Sequence, residues 1–236
     1  MGGGIARRGR RVPAFGIGPL IAASLGIILL GLLRTPLRWS GAAMVLLAAV
    51  WAARVPQPDI LISADGRNVG VRGQDGRLHL MHAAKGTRDA FLLREWLAAD
   101  ADPRMATDAS LTAGVSCDDH GCVMEAAGGA FIAQALKAEA LADDCERAAL
   151  IVTTRPAPAG CAASVIDAGR LRRQGAMALR RSREGFVVEA VKPGGIDRPW
   201  SPAADEGGAD ATVLARPAPP RAIDATPSEA DLQAEE

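Results

Sequence analysis

Hydrophobic residues are concentrated near the start of the chain, in two stretches that contain no charged side chain. The first is Pro13–Leu33 and the second is Trp39–Ala53, and between them lies Arg34–Arg38, where Pro36 favours a turn. A helix of about 20 residues spans the hydrocarbon core of a bilayer, which is about 30 Å thick. The pattern therefore predicts a membrane helical hairpin over residues 13–54, with transmembrane helices at about 13–33 and 37–53.

A cleaved signal peptide is the alternative interpretation of the first stretch, because residues 1–12 form a basic N-terminal segment with Arg7, Arg8, Arg10 and Arg11. However, no small-x-small cleavage pattern follows Leu33, and a second apolar stretch follows almost at once. The hairpin is the favoured interpretation.

The pattern changes after the hairpin, and residues 59–200 have the length of one soluble domain. Apolar residues alternate with polar or small ones at Val69 and Val71, as in a half-buried antiparallel strand. The dipeptides Asp65-Gly66 and Asp75-Gly76 are strong hairpin-turn signals. Strands are predicted at 60–63, 68–72, 77–81, 114–117, 122–126, 131–136, 149–154, 164–166, 177–181 and 185–192.

Helical spacing replaces the alternation in two segments of this domain. In Arg88–Asp100, Leu92 and Trp96, like Leu93 and Leu97, lie one turn apart and form an apolar stripe. A shorter helix is predicted around Lys137–Arg147. Together, the predicted strands and helices indicate a mixed α/β fold in two layers.

Residues 201–236 differ in composition from the rest of the chain. They contain eight acidic residues and only two basic ones, are rich in Pro and Ala, and have no aromatic residue after Trp200. Such a segment buries too little apolar surface to offset its ordering entropy, so a disordered acidic tail is predicted. The whole chain is balanced, with 27 basic and 27 acidic residues, so its net charge neither favours nor excludes nucleic acid as a partner.

The four cysteines suggest two disulfides. Cys117 and Cys122 flank a four-residue loop, and a hairpin would place them opposite each other at a bridgeable distance. Cys145 and Cys161 flank the apolar 149–154 strand and form the second pair. Two alternatives stay open: reduced structural thiols, or a zinc site that uses His120 with Asp118 or Asp119.

The densest basic run comprises Arg170, Arg172, Arg173, Arg180, Arg181 and Arg183. It could attract a DNA phosphate backbone or anionic lipid head groups. The alternative is a solvated surface that is paired with the acidic tail. Aromatic residues make up only 3% of the chain, so few side chains are offered for base stacking.

Several stretches, taken in order, resemble the C-terminal end of the ComEC family of bacterial DNA-uptake proteins. After the hydrophobic hairpin come PQPDILISADGRNVGVRGQDGRLHL, FLLREWLAADAD and the paired-cysteine GVSCDDHGCV, then DDCERAALIVTTRPAPAGCAASVIDAGRLRRQGAMALRR and IDRPWSP. The likeness covers about Arg11–Pro202. It implies an inner-membrane channel for one DNA strand, with a C-terminal domain of degenerate metallo-β-lactamase-like fold. A full member has many more membrane spans and an N-terminal soluble domain, so we expect a C-terminal portion, a split gene product or a mis-started reading frame.

Catalysis by a binuclear metallo-β-lactamase site needs an H-x-H-x-D-H cluster and further ligands. This chain has only His79, His82 and His120, and His79 and His82 would point to opposite faces of a strand. The sequence therefore predicts no catalytic residue, no metal and no cofactor.

The resulting functional hypothesis is a membrane-anchored, non-catalytic part of a ComEC-type channel for transforming DNA. Its expected partners are the lipid bilayer, single-stranded DNA, and the remaining channel portion or other competence proteins. Two alternatives are a metal-dependent hydrolase completed by a partner chain, and a membrane-tethered periplasmic binding module unrelated to DNA.

The expected location is the inner membrane, as a multi-pass protein with its domain on the periplasmic side. Arginine counts on the two sides of the hairpin favour the cytoplasm for that domain. Disulfides favour the periplasm. The short Arg34–Arg38 loop is then the cytoplasmic one.

Overall fold

The computed structural model describes residues 16–54, 56–82, 89–156, 160–183, 185–192 and 213–215. The basic segment 1–12, the IDRPWSP block and the predicted tail other than 213–215 lie outside the described residues.

The chain first forms two helices that pack against each other as a hairpin, α1 (Ile17–Leu32) and α2 (Arg38–Ala52). Their backbones approach closely where Gly26 meets Gly41. A Cβ atom on Gly41 would lie 2.5 Å from the carbonyl oxygen of Gly26, so only glycine fits there. Several large apolar side chains of the hairpin are exposed, including Leu20, Ile21, Leu25, Ile28, Leu46, Leu47 and Trp51.

The prediction that this hairpin crosses a membrane is wrong. In the part of the chain that the structure describes, no helix is both long enough and apolar enough to span a bilayer. α1 has 16 residues and α2 has 15, so at about 1.5 Å per residue α1 extends about 24 Å, short of the roughly 30 Å required. The apolar run at Pro13–Leu33 overestimated the helix, which begins at Ile17 and ends at Leu32. The expected location, as a multi-pass protein of the inner membrane, is wrong for the same reason.

Eleven strands form two sheets in the described residues. In the six-stranded sheet the order is β11-β10-β9-β1-β2-β3 and all neighbours are antiparallel. Its strands are β1 (Ile60–Ile62), β2 (Asn68–Arg72), β3 (Leu78–His82), β9 (Met177–Ser182), β10 (Gly185–Ala190) and β11 (Val213–Ala215).

The five-stranded sheet has the order β4-β5-β6-β7-β8. β4 and β5 pair antiparallel to their neighbours, whereas β6, β7 and β8 run parallel. Its strands are β4 (Val115–Cys117), β5 (Gly121–Glu125), β6 (Phe131–Ala135), β7 (Leu150–Thr153) and β8 (Ser164–Ile166). The helix α4 (Ala138–Arg147) connects β6 to β7, as a parallel pair requires a crossover.

The two sheets pack face to face over the main core. Inward residues of the six-stranded sheet, such as Ile60 and Val71, meet those of the five-stranded sheet, such as Ile132 and Val152. Helices cover the outer faces: α4 packs its Leu141 on β6 and β7. On the other side, α3 (Ala90–Ala99) packs Leu93 and Leu97 on Leu80 of β3, together with the short 3₁₀ helix Ala109–Thr112.

The described part is therefore an α/β protein with two sheets and five α-helices, and the predicted fold class is corrected accordingly. The expected two layers become four, helix–sheet–sheet–helix, because strands such as β3 and β7 have consecutive buried residues and are therefore covered on both faces. Three elements were not predicted, and the first is the 3₁₀ helix Ala109–Thr112. α5 (Ala168–Gln174) follows β8, and β11 lies within the segment predicted to be a disordered tail.

Candidate functional site

The parallel strands β6, β7 and β8 end at the same edge of their sheet, which is where α/β proteins commonly bind ligands. The segments that follow these strands adjoin the β1–β2 turn from the other sheet. We call this region the strand-end face and define it by residues 63–67, 134–137, 153–155 and 167–174.

The side chain of Gln134 holds the β1–β2 turn against the strand-end face through hydrogen bonds. Its side chain is 1% exposed, and its Nε2 donates hydrogen bonds to the carbonyl oxygens of Gly66 and Arg67, each at 2.9 Å. Gly66 has φ +68°, which favours glycine. A Cβ on Gly66 would also lie 2.7 Å from Leu171 Cδ1, so the turn is seated directly on α5.

Arg155 links the ends of β6 and β7 to the start of α5. Its Nε donates to the carbonyl oxygen of Leu136 at 3.0 Å, and its backbone carbonyl accepts from Ala168 N at 3.5 Å. Its backbone N–H donates to Thr153 Oγ1 at 3.1 Å. The residue is exposed, so its remaining guanidinium donors can reach a ligand.

α5 adds three arginines to the same face. Asp167 caps the helix by accepting from Arg170 N at 2.7 Å, and Arg170 Nε donates to Gln174 Oε1 at 2.8 Å. Burial and the nearby charge of Arg173 lower the pKa of Arg170. A bound anion would offset this repulsion between like charges.

The strand-end face has six basic residues against two acidic ones. The acidic residues are Asp65 and Asp167, and both carboxylates accept local hydrogen bonds: Asp65 Oδ1 from Ser63 Oγ and from Arg67 N, and Asp167 Oδ1 from Arg170 N. The basic residues are Arg67, Lys137, Arg155, Arg170, Arg172 and Arg173.

The six arginines predicted as one DNA- or lipid-contacting cluster do not lie together. Arg170, Arg172 and Arg173 lie on α5, whereas Arg180, Arg181 and Arg183 lie at or just beyond the far end of β9. Strand β9 runs away from α5, and at about 3.3 Å per residue Arg181 lies roughly 13 Å beyond Met177.

Two of the arginines at the far end, Arg180 and Arg181, contact local structure. Arg181 N donates to Asp59 Oδ2 at 2.6 Å, and its guanidinium lies against Gly128 in the β5–β6 loop. Arg180 Nη2 lies 3.5 Å from Glu189 Oε2. Arg67, Lys137 and Arg155, which do join the α5 arginines, are isolated in the sequence, and only the fold brings them to one face.

The four cysteines form two disulfides, which are the two pairs expected from the sequence. Cys117 bonds to Cys122 across the β4–β5 ladder, with an S–S distance of 2.07 Å. Cys145 at the end of α4 bonds to Cys161 at 2.06 Å.

The turn between Cys117 and Cys122 borders the strand-end face. Asp118 Oδ1 accepts from the backbone N–H groups of Gly121 and His120, which lowers the pKa of Asp118. The carbonyl oxygen of His120 accepts from Leu136 N at 2.8 Å and from Lys137 N at 3.1 Å. The turn is thereby fixed beside the end of β6.

Among the residues that the structure describes, no group of three or more His, Cys, Asp and Glu side chains is arranged to hold a metal ion. His79 is buried on β3, and its Nε2 lies 3.0 Å from Asp75 Oδ1. That contact lowers the pKa of Asp75. His82 lies three residues along the same strand, and the His120 side chain is half exposed in the β4–β5 turn.

The chain matches no family model, no curated protein and no solved structure.

Proposed function

We propose that this chain is a non-catalytic, DNA-contacting domain of a ComEC-type DNA-uptake protein, and that its strand-end face binds the phosphate backbone. The observation that carries the proposal is the convergence of six basic side chains from four separate segments on one end of the sandwich. Residues far apart in sequence, such as Arg67, Arg155 and Arg173, meet there through Gln134 and the cap of α5. The ordered resemblance to ComEC in the sequence is the reason for proposing DNA as the polyanion.

The chemistry of the face fits phosphate better than bases. Guanidinium groups match phosphate oxygens, and Arg170 has a lowered pKa because of burial and the neighbouring Arg173, so an anion would stabilise it. The segments of the face contain no aromatic residue, so they offer no ring on which a base could stack. Binding is therefore expected to be independent of sequence and strongly salt-dependent.

The test compares two variants of the full chain that each remove two positive charges, one pair from α5 and the other from the far part of β9 and the residue just beyond it. Arg172→Gln/Arg173→Gln alters the strand-end face, and Arg180→Gln/Arg183→Gln is the matched control. We expect the first variant to bind a fluorescent single-stranded oligonucleotide at least threefold more weakly than wild type at low salt. Its log–log salt slope should fall by about 1.4, since each single-strand phosphate contact contributes about 0.7. The control should retain most of the affinity.

Three results would overturn the proposal. The first is an equal loss of affinity in both variants, which would mean that only net charge matters. The second is absence of wild-type binding even at low salt. The third is DNA cleavage by wild type on addition of Mn²⁺ or Zn²⁺, which would favour the hydrolase alternative.

A further inference from the structure

The two disulfides of this chain differ in how far a thiol in solution can reach them. Cys117 is exposed on β4, at one end of the five-stranded sheet, whereas its partner Cys122 on β5 is 1% exposed. In the other disulfide, Cys145 is buried at the end of α4 and Cys161 is partly buried. Thiol–disulfide exchange requires a sulfur that an attacking thiolate can approach. The Cys117–Cys122 bond is therefore the one that an external dithiol reaches first.

The exposed disulfide closes the short turn of residues 118–121. Cys117 and Cys122 lie directly opposite each other in the β4–β5 ladder. Beyond this pair, Asp118 N donates to the carbonyl oxygen of Gly121 at 2.9 Å. The covalent bond thus fixes the separation of the two strand ends from which the turn projects.

The backbone of the turn connects this disulfide to the strand-end face. The carbonyl oxygen of His120 accepts hydrogen bonds from Leu136 N and Lys137 N. The carbonyl oxygen of Leu136 in turn accepts from Arg155 Nε at 3.0 Å. Lys137 and Arg155 are two of the six basic residues of the face. A displacement of the turn therefore disturbs the segment that positions both of these cations.

Reduction gives Cys117 a hydrogen-bond partner that the disulfide does not use. Its Sγ lies 3.8 Å from the carbonyl oxygen of His82 at the end of β3. A disulfide sulfur carries no proton, whereas a thiol can donate one to this oxygen. The oxidised protein ties the end of β4 to β5, and the reduced protein offers it a contact with the other sheet instead. The two redox states thus favour different positions of the turn.

We propose that the Cys117–Cys122 disulfide is a thiol–disulfide exchange site, and that its reduction by a dithiol protein weakens anion binding at the strand-end face. A thiolate of the dithiol attacks Cys117 Sγ, forms a mixed disulfide with it, and releases Cys122 as a thiolate that takes up a proton. The second thiol of the dithiol then breaks the mixed disulfide, so that Cys117 becomes a thiol and the dithiol becomes a disulfide. The effect on DNA rests on the proposed function of the face, whereas the exchange itself does not.

The exchange is tested on the full chain without DNA, with dithiothreitol as the dithiol. The chain is incubated at graded dithiothreitol concentrations, free thiols are alkylated, and the peptides that contain cysteine are quantified by mass spectrometry. We expect the Cys117–Cys122 bond to open at a dithiothreitol concentration at least tenfold lower than the Cys145–Cys161 bond. Equal opening of the two bonds, or the reverse order, overturns the proposal.

Hydrogen exchange then tests whether the turn transmits the change. At a dithiothreitol concentration that opens only the exposed bond, the Leu136 and Lys137 amides should exchange at least fivefold faster, while Ile151 in β7 stays protected. Unchanged exchange at Leu136 and Lys137 overturns the coupling. Cys117→Ala/Cys122→Ala reproduces the loss of the bond without a reductant. Loss of Ile151 protection in both the reduced protein and this variant also overturns the proposal, because the bond would then hold the core rather than the turn.

The affinity for a fluorescent single-stranded oligonucleotide completes the test. Reduced wild type and Cys117→Ala/Cys122→Ala should each bind at least threefold more weakly than oxidised wild type, since two phosphate-binding cations lose their fixed position. The same dithiothreitol concentration should leave the affinity of the variant unchanged. Equal affinity of oxidised and reduced wild type overturns the regulation. If oxidised wild type binds no DNA, the proposed function of the face fails, and the alkylation and hydrogen-exchange results alone decide whether the exchange site and its coupling stand.

Discussion

The side-chain amide of Gln134 in the five-stranded sheet lies 2.9 Å from the carbonyl oxygen of Gly66 in the first turn of the six-stranded sheet. The same nitrogen donates to the carbonyl of Arg67. A single buried polar side chain therefore joins the two sheets at the strand-end face. It also holds the exposed Arg67 beside the ends of the parallel strands.

Replacing Gln134 by Leu should lower the free energy of unfolding by about 2–3 kcal/mol, because two carbonyl groups lose their donor in a buried site. Urea unfolding of the full chain measures the change. Gln74→Leu is the matched control, since Gln74 makes its hydrogen bond to Glu125 at an exposed site, and it should cost less than about 0.5 kcal/mol. Equal losses in the two variants would contradict the linking role of Gln134.

Removing the disulfides should have unequal effects. Cys145 and Cys161 are 16 residues apart, and Cys117 and Cys122 are only 5 apart. A longer closed loop constrains the unfolded chain more, so Cys145→Ala/Cys161→Ala should cost about 3 kcal/mol and Cys117→Ala/Cys122→Ala about 2 kcal/mol. Thermal or urea unfolding of the two double variants under non-reducing conditions tests this order, and the reverse order would contradict it.

Acid should weaken the fold partly through Asp102, which forms a buried ion pair with Arg104 at 2.6 Å. Burial alone would raise the pKa of Asp102, but the hydrogen bonds and charge of Arg104 outweigh it and hold the pKa below the ordinary value of 3.8. The unfolded chain then takes up this proton at a higher pH than the folded protein does. The stabilisation is complete above about pH 5 and is lost as the pH falls through and below 3.8.

Asp102→Asn should therefore destabilise the protein by about 3 kcal/mol at pH 7, because Arg104 is left buried without its carboxylate partner. The difference between variant and wild type should shrink at pH 3. Urea unfolding at both pH values measures it, with Glu95→Gln on the exposed side of α3 as the control. A difference that is the same at pH 7 and pH 3 would contradict the assignment.

The helical hairpin should depend on its glycine contact. Gly41→Val places side-chain atoms against the carbonyl of Gly26 and the backbone nitrogen of Leu30, so α1 and α2 must move apart. Amide hydrogen exchange in α1 should accelerate at least tenfold. Gly31→Ala is the control, because a Cβ there meets no atom within 4 Å, and it should slow exchange slightly through helix propensity.

Local sequence patterns were sufficient to predict most strands and four of the five α-helices in the described residues. Alternation located β2 and β3, and Gly66 and Gly76 have the positive φ angles that their turn dipeptides require. The length of α1 could not be obtained this way, because Pro13, Ala14 and Phe15 read as a continuation of the apolar run. Apolarity alone does not determine where a helix begins.

The strand-end face could not be predicted from local sequence patterns either, but for a different reason. Arg67 and Arg155 have no sequence neighbours of their own kind, and they meet only because β1–β2 folds over the end of β6. By contrast, Arg173 and Arg180 are near in sequence but lie on different elements, Arg173 on α5 and Arg180 at the fourth position of β9. Sequence spacing predicts contacts within an element and fails across a sheet. β11 was missed because an acidic, Pro- and Ala-rich segment gives no strand pattern.

The position of β1 between β2 and β9 affects how the protein can be made. A ribosome releases β1, β2 and β3 early, but the second edge of β1 finds its partner only when residues 177–182 have emerged. The whole five-stranded sheet is synthesised in between. A nascent chain halted before Met177 therefore exposes an unpaired apolar edge at Ile60–Ile62, a substrate for chaperones or for aggregation. Slow synthesis of the segment before Met177 would lengthen the time for which this edge stays unpaired.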